Sequence, residues 1–250
     1  MGADFIGKTV VVTGAAQGIG LAIARRFLTA AAQVVVVDIN PPPAEGFIFQ
    51  SADVSDENDV RSFVARTVEQ CGGIDILINN AGVAVENTIE HTTVEEWERV
   101  MAVNVRGVFL CVKHIIPMMR KRGGGVIVNI GSIEAMGANP AHAAYAASKG
   151  AVHSLTRNIA LECGGDNIRC NAIAPGWIET PFNENLINQF AEPDKARAAI
   201  RDLHPLGRVG TAEDIAAAAW WLAGDDAAFA SGQIYVMDGG RTACLPLPPL

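Results

Sequence analysis

The chain alternates between two hydrophobic periods. Thr9–Thr13 is a short β-branched run that ends in a glycine-rich turn, and after it Ile19, Ile23, Ala24 and Phe27 recur at helical spacing. That pattern reads as strand, turn, helix. Residues 34–37 are all valine and close on Asp38; continuous runs of this kind belong to strands buried on both faces of a parallel sheet. Residues 47–50, 74–79, Gly125–Ile130, 168–174 and 233–236 supply five further strands, with helical patterns at about 56–71, 93–121, 143–163 and 211–223.

Strands alternating with helices imply right-handed βαβ units with helices on both faces of an open parallel sheet, the doubly wound α/β architecture. Ligands of such sheets lie beyond the carboxyl ends of the strands. One connection departs from the pattern. Only residues 39–47 separate the second strand from the third, and Pro41, Pro42 and Pro43 are among them. A parallel crossover usually takes about a dozen residues or more with a helix, and prolines break one, so a loop crossover is expected here.

With 250 residues, half of them apolar, the chain can bury one large core or two small ones. No linker, repeat or low-complexity segment divides it, so residues 1–250 are expected to form a single domain. The net charge of -8 repels phosphate backbones and anionic membrane surfaces, which argues against nucleic acid and membrane as partners. Five cysteines, at 71, 111, 163, 170 and 244, show no metal spacing; no metal is expected, and reduced thiols are. The strongly apolar stretch 215–223 is far too short for a membrane span, and no secretory leader is visible. A soluble cytoplasmic protein is the expectation.

Chemistry enters at Thr13-Gly14-Ala15-Ala16-Gln17-Gly18-Ile19-Gly20, which leads from a strand into a helix. Glycines are wanted there because the chain turns tightly, the backbone must approach a pyrophosphate, and helix must pack near strand. The helix N-terminus adds free N–H groups and a partial positive charge. Asp38 stands at the tip of the second strand, where a carboxylate accepts hydrogen bonds from the adenosine ribose and repels a 2′-phosphate. No Arg or Lys lies in the turn or just after Asp38, so NAD is favoured over NADP.

Tyr145 and Lys149 are four apart on a helical pattern and share one face. A nearby ammonium favours the phenolate of a group whose free pKa is about 10, which is expected to lower the pKa of Tyr145 and make it a general acid/base. Ser132, at the end of the strand before it, can donate to a substrate oxygen where negative charge develops.

The turn at 13–20, Asp53-Val54, Asn79-Asn80-Ala81-Gly82, Asn104, Ser132, Tyr145 with Lys149, and Pro175-Gly176 with Thr180 occur in one order over about residues 5–240. In this the chain resembles the short-chain dehydrogenase/reductase family. The resemblance implies a Rossmann-like sheet of about seven strands in the order 3-2-1-4-5-6-7. It implies reversible hydride transfer between NAD(H) and a secondary alcohol or ketone, with Asn104, Ser132, Tyr145 and Lys149 catalytic and Asn104 relaying protons from Lys149 through its backbone and a water. It assigns the cofactor to Gly14, Gln17, Gly18, Ile19, Gly20, Asp38, Asp53, Val54, Asn80, Ala81, Gly82, Tyr145, Lys149, Pro175, Gly176, Ile178 and Thr180. It also suggests a homotetramer built through helices around 105–122 and 143–163.

Specificity is expected in residues 83–86 and 132–139, in His142 and Trp177, and in a lid at about 181–205 whose helical patterns are bounded by Pro193 and Pro205. His142 either faces the substrate beside Ser132 and Tyr145 or is a surface residue at a helix start; Glu134 either discriminates a polar or cationic substrate or is a solvated loop carboxylate. His91, His114, His153 and His204 are expected at the surface or in packing, and Trp220 and Trp221 in the core or a subunit interface. The apolar, proline-rich tail 242–250 is expected to dock on its own or a neighbouring subunit. Two other functions compete: a 3-oxoacyl-[acyl-carrier-protein] reductase, disfavoured by Asp38 and the acidic charge, and a nucleotide-binding regulatory protein, which has no need of Ser132, Tyr145 and Lys149 together.

Overall fold

The valine runs form the middle of a seven-stranded sheet in which every pairing is parallel. The computed structural model describes residues 5–43 and 45–244. Its strands are β1 (Thr9–Thr13), β2 (Gln33–Asp38), β3 (Ile48–Ser51), β4 (Ile76–Asn79), β5 (Gly125–Ile130), β6 (Ile168–Pro175) and β7 (Ile234–Met237), arranged β3-β2-β1-β4-β5-β6-β7. The order is the one expected, and the connection direction reverses at β1, between β2 and β4. Crevices for ligands open at that reversal.

The helices are α1 (Gly18–Thr29), α2 (Glu57–Cys71), α3 (Val94–Met101), α4 (Gly107–Lys121), α5 (Ala143–Cys163), α6 (Pro181–Ile187), α7 (Pro193–Asp202) and α8 (Ala212–Ala223). Side chains on a strand alternate between faces, which explains why β1 and β2 are apolar throughout. Val10, Val12, Val34 and Val36 join Ile23, Phe27 and Ile215 in a core with α1 and α8. Val11, Val35 and Val37 join Phe63, Val112 and Ile115 in a second core with α2 and α4. Trp220 belongs to the first, packed on Phe5 and Phe27, whereas Trp221 is 41% exposed and meets Tyr235 edge-on.

Local signals account for the helix ends. Asp56 caps α2 by accepting from the N–H groups of Asn58 and Asp59, and Gly72 ends it at φ +79, where a side chain would be strained. Thr211 and Asp214 form a reciprocal box at the start of α8, and Asp214 also takes two hydrogen bonds from Arg208. The stretch expected as one helix over 93–121 is α3 and α4 joined through a π turn, Ala102–Arg106. By length and hydropathy this 28-residue run, rather than 215–223, is apolar enough to cross a membrane. Its buried Val100, Leu110, Val112, Ile115 and Met119 face the protein interior, as in a core helix.

As the prolines require, β2 crosses to β3 without a helix among the described residues between them. The excursion carrying α6 and α7 is closed at its base by a short parallel pairing of Ile178–Glu179 with Gly210–Thr211, which sequence reasoning did not anticipate. Arg197 ties the two helices together through Glu184 at 2.8 Å and Asn188 at 3.0 Å. Of the expected tail, residues 245–250 lie outside the described residues.

Candidate active site

The carboxyl ends of β1, β2, β4, β5 and β6 border one crevice of about 660 Å³. At its centre is the glycine-rich turn. Gly14 has φ +63, and a Cβ there would lie 2.6 Å from the Ala81 Cα, so only glycine fits both the conformation and the approach. Asn80 completes the turn by donating to the carbonyls of Thr13 and Gly14 at 3.0 and 2.7 Å. Gln17 makes no side-chain cap on α1, which leaves first-turn N–H groups available to an anion. Gly20 does not line the crevice; a Cβ there would meet the Gly14 carbonyl at 2.5 Å, so it serves the close packing of helix on turn.

Asp38 fixes the next wall. One carboxylate oxygen accepts from the Ala16 N–H at 2.9 Å and the other from the Asn40 N–H at 3.0 Å. Asp53, Val54, Ala81, Gly82, Pro175, Gly176, Ile178 and Thr180 all line the crevice with it, as expected for a dinucleotide. The donor set fits that group: a helix N-terminus for phosphates, a carboxylate for ribose hydroxyls, and apolar or backbone surface for the rings.

At the far end stand Ser132, Tyr145 and Lys149. Lys149 is buried, donates to the Ile130 carbonyl at 2.8 Å, and holds its ammonium nitrogen 5.5 Å from the Tyr145 ring centre. Burial lowers its pKa from 10.5 to about 8. The expected depression of the Tyr145 pKa is reversed. Desolvation of the phenol pushes it above 10, Glu134 adds to the rise, and a hydrogen bond with Ser132 opposes it without prevailing. The common phenol and ammonium face is as expected, but loss of water sets the direction of the shift.

Asn104 sits in the π turn and does not line the crevice. Its side chain accepts from the Val83 N–H at 2.8 Å and donates to the Val83 carbonyl and the Ser148 hydroxyl, both at 2.9 Å. The amide therefore clamps the segment after β4 to α5. Behind this end, Asn79 donates to Asn129 and Asn129 to Thr156, a buried polar chain beneath the sheet's rim. His153 and His204 are buried, and His114 pairs with Glu57 at 2.9 Å.

The substrate candidates Glu134, His142 and Trp177 also line the crevice. Sequence reasoning weighed Glu134 and His142 separately and missed their pairing: Nδ1 of His142 lies 3.0 Å from the Glu134 carboxylate. It also missed Arg99 and Arg241, both in the lining. Arg241 donates to the side-chain oxygen of Asn139 at 3.3 Å across 102 residues of chain, a separation no local pattern signals. From the segment carrying α6, Phe182, Asn183 and Leu186 reach the same space, and the Phe182 ring centre is 6.5 Å from that of Tyr145.

Comparison with known proteins places this geometry among oxidoreductases. A family model described as Enoyl-(Acyl carrier protein) reductase matches residues 14–242. The chain is 43% identical to 2-(R)-hydroxypropyl-CoM dehydrogenase of Xanthobacter autotrophicus, covering 94% of this chain and 99% of that one. It is 41% identical to 3beta-hydroxysteroid dehydrogenase 1 of Eggerthella lenta, over 96% and 95% of the two. The ligand-free structure of aldohexose dehydrogenase from Thermoplasma acidophilum superposes with a TM-score of 0.96 at 32% identity, over all of both chains.

Proposed function

Because the chain belongs to the short-chain dehydrogenase/reductase family, we propose that this oxidoreductase interconverts a small secondary alcohol and its ketone with NAD(H). The observation that carries the reading is the meeting of Ser132, Tyr145 and Lys149 with the glycine-rich turn and Asp38 in one crevice. The names of the compared relatives carry a hydroxypropyl conjugate, a hydroxysteroid and an aldohexose, a hydroxyl on otherwise unlike bodies.

In this reading Tyr145 is the proton carrier. In the reductive direction its phenol gives a proton to the carbonyl oxygen; in the oxidative direction its phenolate takes the hydroxyl proton. Ser132 donates to the same oxygen and stabilises the charge that develops there. Lys149, close to the Tyr145 ring, stabilises the phenolate and is placed to hydrogen-bond a ribose. Asn104 positions Val83 and Ser148 around them with its side chain, and in this reading its backbone and a water relay protons from Lys149.

The turn residues Gly14, Gln17, Gly18 and Ile19 would hold the pyrophosphate, with Gly20 allowing the close packing behind them. Asp38 would take the adenosine ribose, and Asp53, Val54 and Asn80 to Gly82 the adenine and the floor. Pro175, Gly176, Ile178 and Thr180 would hold the carboxamide side. When bound, the nicotinamide supplies the two-electron partner for the carbinol carbon. Asp38 with neutral neighbours supports NAD over NADP. The net charge of -8 gives no support to an acidic carrier protein as partner.

Residues 181–205 serve as the substrate cover, since Phe182, Asn183 and Leu186 already form part of the wall. Tetramer formation through α4 and α5 accounts for exposed Phe109 and Leu161 on those helices, and light scattering in solution tests it. The decisive experiment follows NADH formation by near-ultraviolet absorbance with a panel of secondary alcohols, polyols and hydroxysteroids, using NAD or NADP. Turnover with NAD that vanishes in Tyr145→Phe supports the proposal; silence across the panel with both coenzymes overturns it.

A further inference from the structure

We propose that Glu134 and His142 form a recognition pair for a second oxygen of the substrate. The preferred substrates are then secondary alcohols or ketones with another hydroxyl or carbonyl a few bonds from the reacting carbon. The inference rests on the reading above, because it takes Tyr145 and Ser132 to mark that carbon.

The pair is built into the wall. Glu134 lies on the short turn after β5, where its N–H donates to the Ser132 hydroxyl oxygen at 3.1 Å. The catalytic hydroxyl and the carboxylate are therefore set by the same turn. His142 immediately precedes α5, three residues before Tyr145, and the two ring centres are 6.1 Å apart. A small molecule held at Tyr145 can reach the imidazole without rearrangement.

His142 is also held from both sides by backbone. Its own carbonyl accepts from the Ala146 N–H at 2.9 Å, and the Ala141 carbonyl accepts from the Asn87 N–H at 2.9 Å. Ala141 has φ +64, in the left-handed region that a residue with a Cβ enters only under strain. That strain is tolerated at the residue that delivers His142 to the crevice.

Burial separates this pair from the surface ion pairs. The Glu134 and His142 side chains are 13% and 14% exposed, whereas Lys195 and Glu192, 2.7 Å apart, are 78% and 61% exposed. Desolvating two opposite charges rarely repays itself in stability, so a half-buried pair beside a reacting centre is better explained by what it presents to a ligand. Nδ1 is occupied by the carboxylate at 3.0 and 3.2 Å. Nε2 has no protein partner among the described residues, and His142 lines the crevice.

The surrounding charges decide the state of that nitrogen. Glu134 raises the imidazole pKa above its ordinary 6.5 through the hydrogen bond, Glu86 adds from the segment after β4, and partial burial opposes them. Tyr145 is the other titratable group against the ring, and Arg241, joined to Asn139, is a cation of the same lining. With Nδ1 turned to the carboxylate, Nε2 accepts from a hydroxyl while the ring is neutral and donates to a hydroxyl, ketone or carboxylate oxygen once it is protonated, the form that Glu134 favours; in neither form does it serve an alkyl chain. Glu134 is a positioning residue here, since it acts through His142.

The test compares molecules with one carbon skeleton. Butan-2-ol and butane-2,3-diol are oxidised, butanone and 3-hydroxybutanone reduced, by wild type, His142→Ala, His142→Asn and Glu134→Gln. Equilibrium binding of the same pairs to the enzyme with coenzyme is measured alongside. The extra oxygen should raise wild-type kcat/KM about tenfold or more, the size of one charge-assisted hydrogen bond. His142→Ala should bring the ratio of kcat/KM within each pair down to about one, whatever it does to butan-2-ol itself, His142→Asn should restore part of that ratio, and Glu134→Gln should lower the imidazole pKa read by NMR. Equal wild-type values within each pair, or equal losses on both members in His142→Ala, overturn the inference. Absence of all turnover with either coenzyme sinks the dehydrogenase reading instead; the recognition pair is then judged by binding, and equal affinities within each pair overturn it.

Discussion

The two ends of the crevice are made differently. The dinucleotide end is shaped by backbone: Gly14 at positive φ, Asn80 bonding two main-chain carbonyls, and open N–H groups at the start of α1. The Tyr145 end, proposed to take the substrate, is shaped by side chains that meet from distant parts of the chain, such as Glu134 with His142 and Asn139 with Arg241. A backbone site tolerates few changes and recognises a fixed group. A side-chain site can be rewritten residue by residue, which is how one scaffold accommodates unlike substrates.

The largest expected effect separates the two ends outright. Tyr145→Phe should lower kcat by about 10²–10⁴-fold while leaving NADH affinity, followed by fluorescence, within a few fold; a loss of both would merge the ends into one unit. Replacing Asp38 by Ser together with Ile39→Arg should move the NADP-to-NAD ratio of kcat/KM about a hundredfold towards NADP, the worth of a bidentate phosphate contact plus relieved repulsion. An unchanged ratio would remove Asp38 from the reading of coenzyme choice.

The pH profiles probe the substrate end. Because burial raises the Tyr145 pKa above 10, ketone reduction, which needs the proton on, should be nearly flat from pH 6 to 8. Alcohol oxidation needs the proton off, so its kcat/KM should climb with pH through that range, by up to about tenfold per unit. Opposite slopes would show that another group carries the proton.

Smaller effects sharpen the backbone end. Gly14→Ala forces a Cβ against Ala81 and should cost about 1–3 kcal/mol, seen as a Tm lower by several degrees and weaker NADH binding, with selectivity between alcohols unchanged. Far from both ends, Asp214→Asn should remove about 1 kcal/mol of capping stability at pH 7 and leave kinetics alone. Asp214 has its pKa lowered from 3.8 to about 2, so its contribution is present above the ordinary carboxylate range and fades as pH falls towards 2. The Tm difference between wild type and mutant should shrink over that window.

The same contrast explains what could be read from the chain alone. Valine runs, glycines at fixed offsets, prolines in a short crossover and a Tyr-x-x-x-Lys spacing are local, and each has one physical reason, so β1 to β7, the helix-free crossover and much of the crevice lining, though not Arg99 or Arg241, were legible. Other features were not, among them three that tertiary structure alone decides. The π turn at Ala102–Arg106 leaves no trace in a helical periodicity. The Glu134 to His142 and Asn139 to Arg241 pairings depend on tertiary approach. The rise of the Tyr145 pKa depends on how much water the folded walls exclude, which residue spacing does not encode.

The Asn80 bridge has a consequence for how the molecule assembles. It joins points 66 and 67 residues apart, and its two ends meet only after β1 and β4 have paired in register. Closing that span costs chain entropy that the paired strands must offset. The turn proposed to hold the phosphates is therefore absent from any ensemble in which the central strands have separated. A nucleotide that fits the turn binds the native state and not the unfolded one. At a free concentration a hundred times its Kd it adds about 2.7 kcal/mol to the unfolding free energy, so the enzyme's lifetime rises and falls with the coenzyme supply around it.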